Sequence, residues 1–171
     1  LSEREFLEFI TSVKDKMYRL SLRLLISKDA AQDATQEVIL KLWKIKTKLK
    51  EYQSPEAFAM TMTKNYSYDQ LKAKRNNQVR LVHTNYENNQ QSSLQCQIEA
   101  KDELRQVQKI ISNLNEQEQT LIQLRDVEQY SYDEMEKITG LKPTAMRVCL
   151  SRARKKIRTA MLKQHEYGVR K

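Results

Sequence analysis

The chain has 171 residues, with 31 Lys and Arg against 22 Asp and Glu, and only two Gly and two Pro. That length holds one ordinary domain or two small ones, and the scarcity of helix breakers beside abundant Leu, Lys, Glu, Gln, Arg and Ala predicts an all-α fold. The formal net charge of +9 calls for a polyanionic partner, either nucleic acid or an anionic membrane surface.

The first helical stripe is Phe6, Phe9, Ile10, Val13, Met17, Leu20 and Leu24, recurring at spacings of three and four. A break at Ser27 to Asp29 precedes a second helix expected from about Ala30 to Leu49. Its inner face is Ala34, Val38, Leu42, Ile45 and Leu49, flanked by Ile39 and Trp43, and its outer face is Asp33, Gln36, Glu37, Lys41 and Lys44. Ser54-Pro55 reads as a capping hydroxyl followed by proline at the first helical position. The helix it opens is expected to run to about Lys74, burying Phe58, Met62, Tyr66 and Leu71 and ending in Lys72, Lys74 and Arg75.

From Asn76 the composition changes. The stretch to Gln97 is rich in Asn and Gln and poor in apolar residues, and irregular loops longer than ~12 to 15 residues are uncommon inside compact domains. We read two small helical domains, 1–75 and 101–171, joined by a flexible linker over 76–100. The second domain opens with a helix from about Lys101 to Asn113, carrying Leu104, Val107, Ile110 and Ile111. Another follows from Asn115 to about Glu128, carrying Leu121, Ile122 and Leu124. Ser131 to Thr139 is a short helix with Met135 and Ile138 inward. Gly140 supplies a turn able to enter positive φ, and a long basic helix follows, which together make the pattern of a helix-turn-helix. Tyr130 and Tyr132 are most simply core or helix-start residues.

In that last helix Met146, Leu150, Ala153 and Ile157 share the inner face, and Arg147, Ser151, Arg154 and Arg158 follow one position later. Arg152, Lys155 and Lys156 widen the outer surface, with no acidic residue between Lys142 and Arg158. A basic run alone is as readily a solvated face. Combined with the glycine turn and an acidic preceding segment, it favours duplex DNA, where Arg can pair with guanine O6 and N7 and its neighbours can hold phosphates.

No catalytic or cofactor pattern emerges from the residues. No Gly-rich phosphate loop occurs, His83 and His165 lack metal-ligand spacing, and Cys96 and Cys149 form no Cys-x-x-Cys pair. The acidic pairs Asp29/Asp33 and Asp33/Glu37 lack a third ligand type, so no metal or other cofactor is expected. No apolar run reaches the ~20 residues of a membrane span, and Leu1 to Phe9 lacks the order of a secretory signal. The chain therefore reads as cytoplasmic, without membrane insertion.

With these residues in place the chain resembles the extracytoplasmic-function group of the sigma-70 family, over about Phe6 to Arg158. The run Asp29-Ala-Ala-Gln-Asp33-Ala-Thr-Gln36-Glu37-Val-Ile-Leu-Lys41-Leu-Trp43 is similar to the family's region 2.2. Phe58 to Arg75, with Asn65 and Asp69, is similar to the helix that follows it. Leu114-Asn115-Glu116-Gln117-Glu118, Tyr130-Ser131-Tyr132-Asp133-Glu134-Met135 and Leu150-Ser151-Arg152-Ala153-Arg154 resemble region 4. The chain departs from the family's usual Thr-Val-Lys or Thr-Val-Arg at Ala145-Met146-Arg147, and from a common basic residue at Cys149, which leaves the DNA sequence read there open.

The resemblance implies a non-enzymatic sigma factor that binds core RNA polymerase and directs promoter-specific initiation. Asp33, Gln36, Glu37 and Lys41 would dock on the clamp helices of the largest subunit, with the flap of the second-largest subunit as a further contact. Asn65, Asp69, Lys72, Lys74 and Arg75 would bind the single-stranded minus-10 element, with Asn65 lining a pocket for a flipped base. Arg147, Val148, Ser151, Arg152, Arg154 and Lys155 would read the minus-35 duplex. An anti-sigma factor is an implied partner. The alternative from the residues alone is a helix-turn-helix regulator that binds operator DNA as a dimer without joining polymerase; an adaptor with a basic face for acidic partners is a third reading.

Overall fold

Ser2 opens the first helix with a reciprocal cap, its hydroxyl accepting from the Glu5 amide while the Glu5 carboxylate accepts from the Ser2 amide. In the structure, a computed structural model that describes residues 1–81 and 100–168, with side chains over 1–76 and 105–163, this helix, α1, spans Glu3–Leu25. The expected stripe is its buried face: Phe6, Ile10, Val13, Met17, Leu20 and Leu24 are enclosed, with Phe9 packed at the margin. Fully burying such a side chain contributes on the order of 1.5–3 kcal/mol.

The helix stops earlier and more sharply than the sequence suggests. Ile26 takes a left-handed conformation (φ 65°) and Ser27 at once caps α2, Lys28–Lys44. A β-branched residue is strained there, and no glycine marks the place, so the sequence reading sets the break one or two residues late. α2 also ends before the expected Leu49. The chain turns at Ile45, and a 3-10 turn, Lys48–Glu51, delivers Leu49 into the core instead.

Ser54 caps α3, Pro55–Leu81, as expected, accepting from the Ala57 amide. The helix continues past Lys74 into the first residues assigned to the linker. Its deepest face is not the one expected: Ala59, Met60, Thr63 and Ser67 are enclosed, whereas Phe58, Met62, Tyr66 and Leu71 are half-buried. Small side chains let α3 approach α1 closely. The hydroxyls stay satisfied, Thr63 donating to the Ala59 carbonyl and Ser67 to Ser21. Residues 82–99, most of the proposed linker with His83 and Cys96, lie outside the described residues.

The second domain is α4, Ala100–Ser112; α5, Glu116–Ile122; a π-helical turn, Gln123–Val127; α6, Tyr132–Thr139; and α7, Pro143–Gly168. Its core gathers Ile111, Leu114, Leu121, Ile122, Leu124, Met135, Ile138, Met146, Leu150 and Ala153. Asn115 and Ser131 cap α5 and α6 through reciprocal pairs with Glu118 and Glu134. Gly140 ends α6 at φ 73°, a backbone that glycine adopts without steric cost.

The two domains meet along one face of α3. Thr61 and Lys64 donate to the Ile138 carbonyl, Tyr68 bonds the Thr120 hydroxyl at 2.7 Å, and Arg75 pairs with Glu116 at 2.7 Å. From α1, Arg19 grips Glu128 through two bonds of 2.7 Å. The Tyr130 hydroxyl donates to Glu56, which also holds Lys16. Burial and that carboxylate push the Tyr130 phenol well above its ordinary range. Among the described residues the fold is entirely helical, and no helix is long and apolar enough to cross a membrane.

Candidate nucleic-acid and protein interfaces

Among the described residues, three exposed surfaces carry the candidate residues. The first is the outer side of α2. Its inner positions Ala31, Ala34, Thr35, Val38 and Leu42 are buried, and helical periodicity turns Asp33, Gln36 and Glu37 away from them. Asp33 and Gln36 are exposed and Glu37 is half-buried. None of the three has a hydrogen bond or ion pair among the described residues. Lys41 lies 4.7 Å over the Tyr66 ring. Beside this acidic stripe Leu40 is 56 % exposed and Trp43 38 %. Trp43 packs edge-on against Phe6 and carries Lys46 on its ring, so it braces α1 while leaving part of its indole outside. Exposed carboxylates beside exposed apolar groups suit a protein partner better than a phosphate backbone.

The second surface is on α3, whose residues sort onto three faces. The core takes Ala59, Met60, Thr63 and Ser67, and the second domain takes Thr61, Lys64, Tyr68 and Arg75. Asn65, Asp69 and Lys72, at i, i+4 and i+7, remain outward and exposed, with exposed Lys74 beyond them. The structure thus brings Asn65, Asp69 and Lys72 into one stripe and sets Arg75 apart from it, tied to Glu116. Lys64, adjacent in sequence to Asn65, is half-buried at the domain junction, and burial lowers its ammonium below the ordinary value.

The third surface is α7. Met146, Leu150 and Ala153 are enclosed against the second-domain core, so Arg147, Val148, Ser151, Arg152 and Lys155 face out, and Val148 is 50 % exposed. The cations of this helix divide into two sets. Arg154 is gripped by Asp126 through two hydrogen bonds, which raise its guanidinium above the ordinary value. Lys156 lies 2.6 Å from Glu118, whose side chain is buried. Arg147, Arg152, Lys155 and Arg158 have no carboxylate partner among the described residues. Burial holds the half-buried Cys149 thiol above its ordinary value, so it is the less reactive thiol form.

Sequence reasoning missed Arg125. It lies before the helix-turn-helix, on the π-helical turn, donating to the Tyr130 carbonyl at 2.7 Å and lying 4.8 Å from the centre of the Tyr132 ring. Arg147 lies 4.7 Å from the same centre. A π-helical turn has no simple periodic signature, and nothing in the sequence spacing pairs residues 125 and 147. Among the described residues no group of His, Cys, Asp and Glu is arranged to hold a metal ion.

Two family models match separate parts of the chain: Sigma-70 region 2 over residues 9–77 and Sigma-70, region 4 over residues 104–157. No curated protein sequence matches it. Among solved structures, it is similar to the sigma factor RpoE in complex with the anti-sigma factor NepR from Bartonella quintana. The TM-score is 0.73 at 20% identity, covering 92% of this chain and 97% of that one. It is also similar to CnrH in complex with the cytosolic domain of CnrY, with a TM-score of 0.66 at 18% identity, covering 95% and 90%. At these identities the likeness is one of fold.

Proposed function

Because this chain belongs to the sigma-70 family, its partners are core RNA polymerase and promoter DNA, and we propose that α2 docks on the polymerase while α3 and α7 read the two promoter elements. Asp33, Gln36, Glu37 and Lys41 make the polymerase contact, with Leu40 and the exposed part of Trp43 as its apolar complement. Asn65, Asp69 and Lys72 meet the unpaired minus-10 strand, Asn65 accepting a flipped base whose edges the duplex would hide. Lys74 and Arg75 supply positive charge at the end of that helix, Arg75 after release from Glu116. Arg147, Val148, Ser151 and Arg152 enter the major groove of the minus-35 duplex, and Lys155 lies along its backbone. Arg154, held by Asp126, adds charge from a fixed position.

The observation that carries this reading is the presence, on one chain, of an acidic and apolar face on α2 and a cationic face on a helix-turn-helix, neither of them neutralised among the described residues. An operator-binding regulator independent of polymerase has no use for the first. The family acts in initiation without catalysis, and no chemical step is assigned to the chain. One solved neighbour, the sigma factor RpoE, is bound to the anti-sigma factor NepR, and by that likeness an anti-sigma factor holds this chain inactive in the cytoplasm. The test is in vitro transcription by core polymerase over a randomised promoter library. Addition of the folded chain should give sequence-selective starts, with enrichment at two spaced elements. Starts with no enriched sequence would end the proposal.

A further inference from the structure

Tyr132 is the first residue of α6, and the reciprocal cap between Ser131 and Glu134 fixes its backbone. Its half-buried ring meets two guanidinium groups from two other elements: Arg125 of the π-helical turn at 4.8 Å and Arg147 of α7 at 4.7 Å. Arg125 is further anchored by its bond to the Tyr130 carbonyl. By the triangle inequality the two guanidinium carbons are less than about 10 Å apart, within one Debye length at ~0.1 M salt, so their charges repel.

Elsewhere in this domain a carboxylate resolves such crowding, as Asp126 does for Arg154 and Glu118 for Lys156. Here no carboxylate is paired with either arginine among the described residues. The aromatic face attracts both cations and cancels neither charge. This arrangement restricts where two arginines point and leaves both charges available to an external anion.

We propose that Tyr132 is a positioning residue for DNA recognition, holding Arg147 for a base contact and adding Arg125 as a second, phosphate-directed contact from outside the recognition helix. This rests on the reading of α7 as the minus-35 reader. A planar guanidinium already oriented loses less freedom on making its bidentate contact. The same stack sets Arg147 at a fixed distance from Arg125, so base reading and backbone contact are coupled in register.

The experiment uses the full chain bound to core polymerase and a promoter selected from a randomised library. Affinity is measured for that promoter and for versions altered at each minus-35 base pair, across a series of KCl concentrations. Arg147→Ala should weaken the selected promoter by roughly 5- to 150-fold and remove discrimination at one or two base pairs. Arg125→Gln should weaken all sequences alike and reduce the salt slope by about one.

Tyr132→Leu should reproduce part of both effects, whereas Tyr132→Phe, which keeps the aromatic face, should stay within about twofold of the parent. In the Arg125→Gln, Arg147→Ala background, Tyr132→Leu should cost nothing further. Equal behaviour of the Leu and Phe variants, or an undiminished Leu effect in that background, would overturn the positioning role and leave the α7 reading intact. Undisturbed discrimination in Arg147→Ala would overturn this inference alone, whereas absence of minus-35 discrimination in the parent chain would overturn the α7 reading, and this inference with it.

Discussion

The outer faces of α2 and α7 both carry charge that no other described residue neutralises, yet they are built differently. On α2 the acidic groups are simply left alone. Asp33 and Glu37 meet no cation among the described residues, and the exposed Leu40 and Trp43 lie close by. On α7 the domain does provide carboxylates, but Asp126 and Glu118 engage Arg154 and Lys156, two cations that help fix the helix against the π-helical turn and α5. The remaining cations are the surplus. A run of like charge in a sequence is therefore not uniform in role: some members hold the helix in place and the others are available to a ligand.

Charge reversal on α2 should have the largest effect. Glu37→Lys places a cation in the acidic stripe proposed to meet the polymerase, and disrupting a charge pair that becomes buried at an interface costs about 2–5 kcal/mol. Core polymerase capture by the variant should fall by more than tenfold while its helical circular dichroism is unchanged. Capture at the parental level would remove Glu37 from the interface. On α7 a smaller loss is expected. Arg152→Ala should weaken minus-35 binding by about 1–3 kcal/mol if it makes a base contact, with the loss confined to promoters carrying the preferred base. Arg154→Ala should differ in kind, lowering the melting temperature as well as DNA affinity, because it strips Asp126 of its partner.

The sequence was legible where a single apolar stripe decides the outcome. α1 and α7 bury the residues their periodicity names except Phe9 and Ile157, which are half-buried at the margin, and Ser54-Pro55, Ser131 and Gly140 mark boundaries where the structure has them. The failures have physical causes. α3 serves three neighbours at once, so no single stripe describes it, and its most buried positions include Thr63 and Ser67 rather than Phe58 or Tyr66. The junction of the domains is made by polar pairs such as Arg19 with Glu128 and Tyr130 with Glu56, which hydrophobic periodicity cannot register. Ile26 turns the chain without glycine. The resemblance supplied the roles proposed for α2 and α3; composition and spacing alone left the α2 face as solvent-exposed surface.

Gly140 offers a test of how tightly the helix-turn-helix is set. A Cβ at this position would meet nothing within 4 Å, so any cost of Gly140→Ala comes from its positive φ of 73° rather than from a clash. That cost should be about 1–2 kcal/mol, seen as a lower urea midpoint with an unchanged slope. A neutral substitution would mean that the turn relaxes freely, and that the angle between α6 and α7 is not held by the backbone.

The smallest expected effect separates the caps of α2 and α6. Ser27 caps α2 through the Ala30 amide with no carboxylate reply, whereas Ser131 is bound through both its amide and its hydroxyl by Glu134. The Ser131 amide, then its hydroxyl, hold the Glu134 carboxyl below its ordinary value of 4.5. A depressed carboxylate contributes stability above its unfolded value, and that contribution is lost as pH falls through the folded one. Ser27→Ala and Ser131→Ala should each cost about 1 kcal/mol at neutral pH. Below the ordinary carboxylate range, part of the Ser131 penalty should disappear as Glu134 protonates, while the Ser27 penalty stays level. Urea melts at neutral and acidic pH would show this divergence, and parallel curves would mean that the Ser131 cap acts through its backbone bond alone.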